Sequence, residues 1–373
     1  MNLRVGIVGL PNAGKSTLFN ALLKRQVAFA ANYPFATIEP NIGVVPVPDS
    51  RLERLTQIVE QDEHMMKPPP IVPATVEFVD IAGLVKGASE GQGLGNKFLS
   101  HIREVNVIAH VIRSFQDPDI IHVNGTPIVH EDKETIETEL ILADLQTLEK
   151  QTEPRGVADK KEKARWEVIQ YLKDGLNRGA LAREWVVDPQ KQQRIADLHL
   201  LTMKPMVYVL NVGENDLNEE ALTFERREEL VDERESFKPD ASVVLASAKI
   251  EAELAGLPED EQREYLASLG LKESGLERLI QKAYAMLGLI SFLTMGEKEV
   301  RAWTIHAGDT AIAASGEIHT DFMQKFIKAE VISFSDLDRI GSRTNARELG
   351  KLRLEGREYV MQDGDIVEFK IGS

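Results

Sequence analysis

The sequence contains no cysteine, and this absence excludes disulfides, thiolate zinc sites and cysteine nucleophiles. Basic residues are also in deficit. The 44 Lys and Arg residues are outnumbered by 60 Asp and Glu residues, which gives a formal net charge of −16. This balance argues against a protein that coats DNA non-specifically, because such binding needs an excess of cations. The net charge does not exclude a local basic patch that contacts RNA.

Long apolar stretches are missing as well. The longest run, near Tyr284–Leu293, is far shorter than the ~18 residues that span a bilayer. The N-terminal segment has no cleavage-site pattern of a signal peptide. The chain has 373 residues, 43% of them hydrophobic and 28% charged, which is typical of a folded protein with roughly two to three domains. We expect a cytoplasmic monomer that contacts neither a membrane nor DNA.

The first half of the chain alternates short apolar runs with helical patterns. Continuous apolar strands separated by helices are typical of a mainly parallel sheet covered on both faces, so the predicted fold class is α/β. A helix is predicted at residues 15–23. Strands are predicted at residues 3–8, 75–81, 105–115, 206–210 and 242–246.

The series of strands is interrupted between residues 131 and 200. Charged residues are frequent there, and leucines recur at helical spacing from Leu140 to Leu148. Because strands resume at Met206, we interpret residues 131–200 as a coiled-coil-like helical hairpin inserted into a discontinuous domain. That domain comprises residues 1–130 and 201–289.

After a helix predicted near Gly275–Leu289, the pattern changes to short β-branched or aromatic runs punctuated by glycine. This pattern predicts a small β-rich α+β domain at residues 290–373, with one or two helices. Its strands are predicted at residues 301–305, 316–318, 328–333, 359–361 and 366–371.

A phosphate-binding motif follows the first predicted strand. The segment GLPNAGKST at residues 9–17 matches G-x-x-x-x-G-K-[ST], so the domain is predicted to be a P-loop nucleoside triphosphatase. The glycines let backbone N–H groups surround a polyphosphate at the start of a helix. Lys15 is predicted to bridge the β- and γ-phosphates and assist catalysis, and the Ser16 hydroxyl to bind Mg²⁺. The predicted nucleotide-binding residues here are Gly9, Asn12, Ala13, Gly14, Lys15, Ser16 and Thr17.

Two further segments are predicted to complete the metal site. Asp80 ends a predicted strand and begins D-x-x-G, so its carboxylate is expected to hold Mg²⁺ through water. Thr37 lies between the two motifs and is expected to close over the metal when triphosphate is bound. The segments around Thr37 and Gly83–Gly95 are interpreted as switch loops that order on the γ-phosphate.

The chain resembles the YchF family of Obg-like ATPases in GLPNAGKST, NYPFATIEPN, DIAGLVKGASEGQGLGNKFLSHIRE and YVMQDGDIVEF. The similarity extends over essentially the whole chain. It implies a P-loop domain with a helical insertion and a C-terminal TGS domain. It also implies hydrolysis of ATP with Mg²⁺, and association with ribosomes and the large ribosomal subunit.

Base recognition is predicted where residues 206–210 run into Asn211-Val212-Gly213-Glu214. A guanine reader carries N-K-x-D there. Val212 and the longer Glu214 should weaken a preference for guanine, because specificity comes from pairing buried polar groups. The resemblance implies ATP, with base contacts around Asn211 and Val212; a turn without a base role is the alternative. Ser247 begins a segment that resembles the last base-contact loop of GTPases. Lys249 departs from the pattern expected of the family, so use of GTP stays an alternative.

The residue that orients the attacking water is harder to predict. Leu84 follows Gly83, where Ras-like enzymes carry glutamine, and leucine cannot orient water. The resemblance points to His110, although a strand histidine with a structural role is the alternative. His101 is a second candidate. Asn12 lies where cation-activated relatives bind K⁺, so K⁺ is a further predicted cofactor; an asparagine that only stabilises the loop is the alternative.

We therefore expect the protein to be a ribosome-binding ATPase that acts as a nucleotide-dependent switch in translation. A GTPase of the same superfamily, and a ribosome-binding adaptor with a structural nucleotide, are the alternatives. The basic run Lys160–Arg165, beside Trp166, is either a solvated helix face or a contact for rRNA or a ribosomal protein. The TGS-like domain is expected to be a binding module.

Overall fold

The computed structural model describes residues 3–32, 41–81, 94–117, 128–154, 159–217, 232–233 and 237–372. Thr37, Gly83, Leu84 and most of both predicted switch segments lie outside these residues. The chain divides into two compact units. One comprises Met1–Val45 and Glu77–Ala283, and the other Pro46–Val76 and Tyr284–Ser373.

The strands are β1 (Arg4–Val8), β2 (Ile42–Pro46), β3 (Ile71–Val72), β4 (Thr75–Asp80), β5 (Val107–Ser114), β6 (Met206–Val212), β7 (Ser242–Ala246), β8 (Leu289–Met295), β9 (Val300–His306), β10 (Phe326–Ser333), β11 (Arg353–Glu355) and β12 (Asp365–Ile371). The described α-helices are α1 (Lys15–Asn32), α2 (Ser50–Asp62), α3 (Leu94–Glu104), α4 (Val129–Glu149), α5 (Lys160–Asn177), α6 (Ala182–Trp185), α7 (Pro189–Ile195), α8 (Ala248–Leu254), α9 (Glu259–Ser268), α10 (Gly275–Met286), α11 (Ala311–Ile318), α12 (Thr320–Lys325), α13 (Phe334–Ile340) and α14 (Arg343–Glu348).

The first unit is built on a six-stranded sheet with the order β2-β4-β1-β5-β6-β7. The pairs β1–β4, β1–β5, β5–β6 and β6–β7 are all parallel, which confirms the prediction of a mainly parallel sheet. Every residue of β5 and β6 is buried, as expected for strands covered on both faces. Because parallel strands end at the same edge, the carboxyl ends of β1, β4, β6 and β7 lie there together.

The helices α4 to α7 occupy the segment that was predicted to be helical. Residues of α4 and α5, among them Ile141, Leu148, Val168 and Leu172, share an apolar cluster that is separate from the core beneath the sheet. Asp144 anchors the C-terminal end of this segment through hydrogen bonds. This buried carboxylate accepts hydrogen bonds from the backbone N–H groups of Leu201 and Thr202 and from the Thr202 hydroxyl, at 2.6–2.8 Å. The boundaries of an inserted domain at 131–200 stay a prediction.

The second unit contains a mixed six-stranded sheet with the order β11-β10-β12-β8-β9-β3. Its core includes Phe292, Ile305, Phe326 and Val331. The unit also takes in residues 46–76, which were predicted to belong with the nucleotide-binding domain. The reason is long-range pairing, because β3 runs parallel to β9 with Ile71 opposite Val300.

Two predicted strands near the C-terminus are wrong. Residues 316–318 end helix α11, in which Ala311 and Ala314 bury one face at helical spacing. Residues 359–361 form no strand; Val360 makes an isolated bridge with Thr310. The apolar run near residues 284–293 is divided between α10 and β8 by Gly288, whose φ of 70° ends the helix. No described helix is long and apolar enough to cross a bilayer.

Candidate functional site

The phosphate-binding loop connects β1 to α1 and depends on two glycines. A Cβ on Gly9 would lie 2.3 Å from the carbonyl oxygen of Val111, so only glycine permits this approach of β5. Gly14 has a φ of 96°, and its Cβ would lie 2.2 Å from Nδ2 of Asn211. Asn12 adopts the left-handed conformation, with a φ of 64°, and is exposed. The loop is therefore folded as a backbone cradle.

Lys15 and Asp80 bring opposite charges to this loop. Lys15 is 7% exposed, and its ammonium donates a hydrogen bond of 2.7 Å to the carbonyl oxygen of Leu10. Burial lowers the pKa of Lys15, and the charge of Asp80 offsets part of that effect. Burial likewise raises the pKa of Asp80, while Lys15 opposes the shift. The register explains their proximity, because Asp80 lies opposite Ile7 at the end of β4.

The residues present suit a magnesium ion. Oδ1 of Asp80 is buried and has no hydrogen-bond partner among the described residues, so a carboxylate oxygen is available to bind a cation or its water. Ser16 and Thr17 are exposed at the first turn of α1. No group of three or more His, Asp or Glu side chains able to hold a metal occurs within the described ranges. Magnesium bound through a hydroxyl, a carboxylate and phosphate oxygens needs no such group.

Asn211 connects the loops at the ends of three strands. It is buried at the end of β6, and its Nδ2 donates a hydrogen bond of 2.9 Å to the carbonyl oxygen of Ala13 in the phosphate loop. Its Oδ1 accepts a hydrogen bond of 2.9 Å from the N–H of Ala248, after β7. Val212 and Ser247 beside it are buried as well. The predicted base-contact residues are therefore brought together, with Asn211 as the connection between them.

Glu214 differs from these neighbours because its side chain is exposed. It lies in a 3-10 turn, Glu214–Asp216, directly after β6. Its Oε2 is 3.7 Å from the ammonium of Lys249. Glu214 thus follows β6, whereas Lys249 lies in the first turn of α8, which follows β7.

His110 lies in the middle of β5, opposite Val8 of β1 and Tyr208 of β6. It is 1% exposed, and burial, with smaller contributions from Lys133, Lys15 and Arg183, lowers its pKa to about 3. Its Nδ1 has no hydrogen-bond partner among the described residues. The ring is thus neutral and packed inside the sheet layer. His101 is exposed on α3.

Two family models match the chain. The one described as a 50S ribosome-binding GTPase matches residues 4–212, and YchF-GTPase_C, described as a protein of unknown function, matches residues 289–372. The ribosome-binding ATPase YchF of Bacillus subtilis is 46% identical over 375 residues, and that of Haemophilus influenzae is 47% identical over 376 residues. Both alignments cover 99% of this chain and 99% of the relative.

The chain belongs to the YchF family. A solved structure of the same family, the YchF GTPase of Schizosaccharomyces pombe, matches this chain with a TM-score of 0.84 at 36% identity. The match covers 99% of this chain and 98% of the Schizosaccharomyces pombe chain.

In this YchF chain, a polar cluster beside His110 was not predicted from the sequence. The Tyr208 hydroxyl donates to Glu137 at 2.6 Å and accepts from Arg183 at 3.1 Å. Lys133 donates to the other oxygen of Glu137 at 3.1 Å. The tyrosine and histidine ring centroids are 5.8 Å apart. The one signal in the sequence was a tyrosine within an otherwise apolar strand, which needs a buried partner for its hydroxyl.

Proposed function

We propose that this chain is a ribosome-binding ATPase that hydrolyses ATP to ADP and phosphate and acts as a nucleotide-dependent switch in translation. The observation that carries the proposal is the phosphate loop, in which two indispensable glycines, buried Lys15 and the unpartnered oxygen of Asp80 occur together. The names of the YchF relatives, which are 46–47% identical over nearly the full length, support the same activity.

Different residues are proposed to bind the phosphates, Mg²⁺ and K⁺. The amides of residues 9–17 surround the phosphates, and Lys15 exchanges its bond to the Leu10 carbonyl for β- and γ-phosphate oxygens. Ser16, Thr37 and Asp80 hold Mg²⁺, which neutralises charge on the phosphates when it is bound. Asn12 is the proposed K⁺ ligand at the exposed edge of the loop.

Hydrolysis also requires a residue that acts on water, and we assign this role to His110. Because its ring is 1% exposed and its pKa is about 3, it is a weak base in the conformation described. Catalysis by His110 therefore requires the ring to leave its packing against Tyr208. A neutral imidazole that reaches the site can orient water by hydrogen bonding.

Ribosome contact is assigned to the helical segment and to the TGS domain of residues 290–373. Exposed or half-buried cations and aromatic rings lie together on α5 and α7. The ammonium of Lys191 is 5.1 Å from the ring centroid of Tyr171, and that of Lys173 is 5.7 Å from Trp166. Such pairs suit rRNA, because bases stack on aromatic rings while cations bind phosphate. The large ribosomal subunit is the proposed partner, and the protein is proposed to act as a cytoplasmic monomer.

GTP hydrolysis is the second candidate. It is favoured by the relative from Schizosaccharomyces pombe, which is named a GTPase, and by the family model for residues 4–212, which describes a ribosome-binding GTPase. Competition between ATP and GTP for the purified protein separates the two functions, and a tenfold preference for GTP would remove the ATP assignment.

Lys15→Ala tests the proposed site, with Lys24→Ala as a matched control on the exposed face of the same helix. We expect Lys15→Ala to abolish tight binding of Mg²⁺–ATP in calorimetry and to abolish hydrolysis, because Lys15 is the proposed phosphate ligand. Lys24→Ala should bind and hydrolyse like the wild type. Sedimentation of the wild-type protein with 70S ribosomes and 50S subunits tests the partner. Unchanged ATP affinity in Lys15→Ala would contradict the phosphate-site assignment.

A further inference from the structure

We infer that Tyr208 is a positioning residue for hydrolysis: its hydroxyl, held by the helical segment, keeps His110 in the sealed position and so limits the rate at which the ring reaches the attacking water. The inference rests on the proposed function, because it assumes that His110 acts on water at the phosphate loop.

The sheet places His110 between the phosphate loop and the helical segment. In β5 it lies opposite Val8, the residue before Gly9, and on its other side it lies opposite Tyr208 of β6. Side chains of residues directly opposite each other project to the same face of a sheet. Val8, Leu10 and Tyr208 share one apolar cluster, so the packed layer that contains Tyr208 extends to the phosphate loop. The approach of His110 to that loop therefore calls for rotation of the side chain rather than movement of β5.

Packing, rather than a hydrogen bond at Nδ1, holds the sealed ring in place. His110 is 1% exposed, and its Nδ1 has no partner among the described residues. A buried polar atom without a partner is unfavourable. The centroid of the Tyr208 ring is 5.8 Å from that of the imidazole. Because protein interiors are densely packed, the imidazole can rotate only when such a neighbour gives way.

Tyr208 is restrained at the far end of its ring. Its hydroxyl donates to Oε1 of Glu137 on α4 at 2.6 Å and accepts from Arg183 on α6 at 3.1 Å. Burial, together with the charge of Glu137, raises the pKa of Tyr208, so the hydroxyl keeps its proton and remains the donor. Lys133 holds the other oxygen of Glu137 at 3.1 Å, and Phe237 packs on the tyrosine ring with the centroids 4.8 Å apart. Tyr208 can therefore shift only when its bonds to the helical segment lengthen.

Removing the hydroxyl should release His110 more often. Tyr208→Phe keeps the aromatic ring and its packing but removes the bond to Glu137. The net contribution of one hydrogen bond corresponds to roughly a fivefold change in an equilibrium. We therefore expect the population of released His110 to rise about fivefold.

The first measurement is independent of ATP hydrolysis. Exchange of the imidazole C2 hydrogen of His110 with deuterated water, followed by mass spectrometry, reports how often the ring contacts water. This exchange should be about fivefold faster in Tyr208→Phe than in the wild type. The matched control is Tyr265→Phe, which removes another phenol hydroxyl that donates to a carboxylate, that of Glu253 at 2.8 Å. Tyr265→Phe should leave the exchange of His110 at the wild-type rate.

The second measurement is single-turnover hydrolysis at saturating Mg²⁺–ATP. The rate should rise about fivefold in Tyr208→Phe, with the Kd of ATP unchanged, because the hydroxyl is bonded to the helical segment and not to the phosphate loop. A purely structural role would instead lower the rate or weaken binding. In the His110→Ala background, Tyr208→Phe should leave the residual rate unchanged. Glu137→Gln weakens the same bond without removing it, so both readouts should rise about twofold, and this variant carries the test if Tyr208→Phe fails to fold.

The outcomes separate this inference from the proposed function. If the exchange of His110 in Tyr208→Phe or Glu137→Gln equals that of the wild type, the restraint is refuted and the ATPase proposal stands. A faster hydrolysis that persists in the His110→Ala background would also overturn the inference, because it would not act through His110. If the wild type hydrolyses no ATP, the proposed function fails, and the role of Tyr208 in hydrolysis fails with it, whatever the exchange rate.

Discussion

Replacing Asn211 by alanine should loosen the phosphate loop in the ligand-free protein. The substitution removes the acceptor of the Ala248 N–H and the donor to the Ala13 carbonyl, two bonds of 2.9 Å between buried residues. A buried backbone group that loses its partner costs about 1–3 kcal/mol. Because Asn12 and Ser16 are exposed on the same loop, water can replace part of what is lost. We therefore expect a total of about 2–3 kcal/mol, near the lower end of the range for two groups.

This cost should appear as faster local opening. Since 1.4 kcal/mol corresponds to a factor of ten, the Ala248 amide should exchange with deuterium roughly 30- to 150-fold faster in Asn211→Ala than in the wild type. Hydrogen exchange followed by mass spectrometry, on a peptide that covers α8, measures the change. The matched control is Asn215→Ala, an identical substitution at an exposed position in the following turn.

Asn215→Ala should leave exchange at Ala248 unchanged. If exchange in Asn211→Ala stays within threefold of the wild-type rate, the bridge contributes nothing measurable. Asn211 would then be free to act solely as a base contact.

Two further predictions concern buried ionisable groups. The pKa of His110 is lowered to about 3 from its ordinary 6.5, so the folded state keeps the ring neutral while the unfolded state binds a proton below pH 6.5. The free energy of unfolding should be fully retained above pH 6.5 and fall by about 1.4 kcal/mol per pH unit below it. Chemical denaturation of the wild type and His110→Gln between about pH 7 and about pH 5 measures this slope, and equal slopes would refute it. Asp144→Ala leaves two backbone N–H groups and the Thr202 hydroxyl without their acceptor and should destabilise the first unit by about 3–5 kcal/mol. Asp144→Asn keeps acceptor oxygen and should cost less; equal thermal midpoints for the two variants would contradict this assignment.

The phosphate loop could be predicted because its chemistry is local. The motif defines a turn and the start of a helix through residues that are close in the sequence, namely the glycines at positions 9 and 14 followed by Lys15 and Ser16. The five strands predicted for the first unit are present for a related reason: each contains a short apolar run, and β5 and β6 are buried at every residue. The strand β2 was not predicted, since its burial alternates and its run is short.

The second unit was harder because short apolar segments suit a helix or a strand equally well. Residues 316–318 combine a glycine with the β-branched Ile318, yet packing of Ala311 and Ala314 makes them the end of a helix. Gly288 separates α10 from β8 by a change in backbone conformation that no apolar pattern records.

By itself, the sequence of this protein determined the family, the phosphate-binding motif and the parallel sheet behind it, since each depends on residues that are neighbours along the chain. The tertiary structure alone decided that residues 46–76 join the second unit, that His110 is sealed against Tyr208, and that Lys249 lies beside Glu214. Each of these depends on contacts between residues far apart in the chain. Pairing between distant segments is chosen by the free energy of the whole fold, and the local sequence is compatible with several choices.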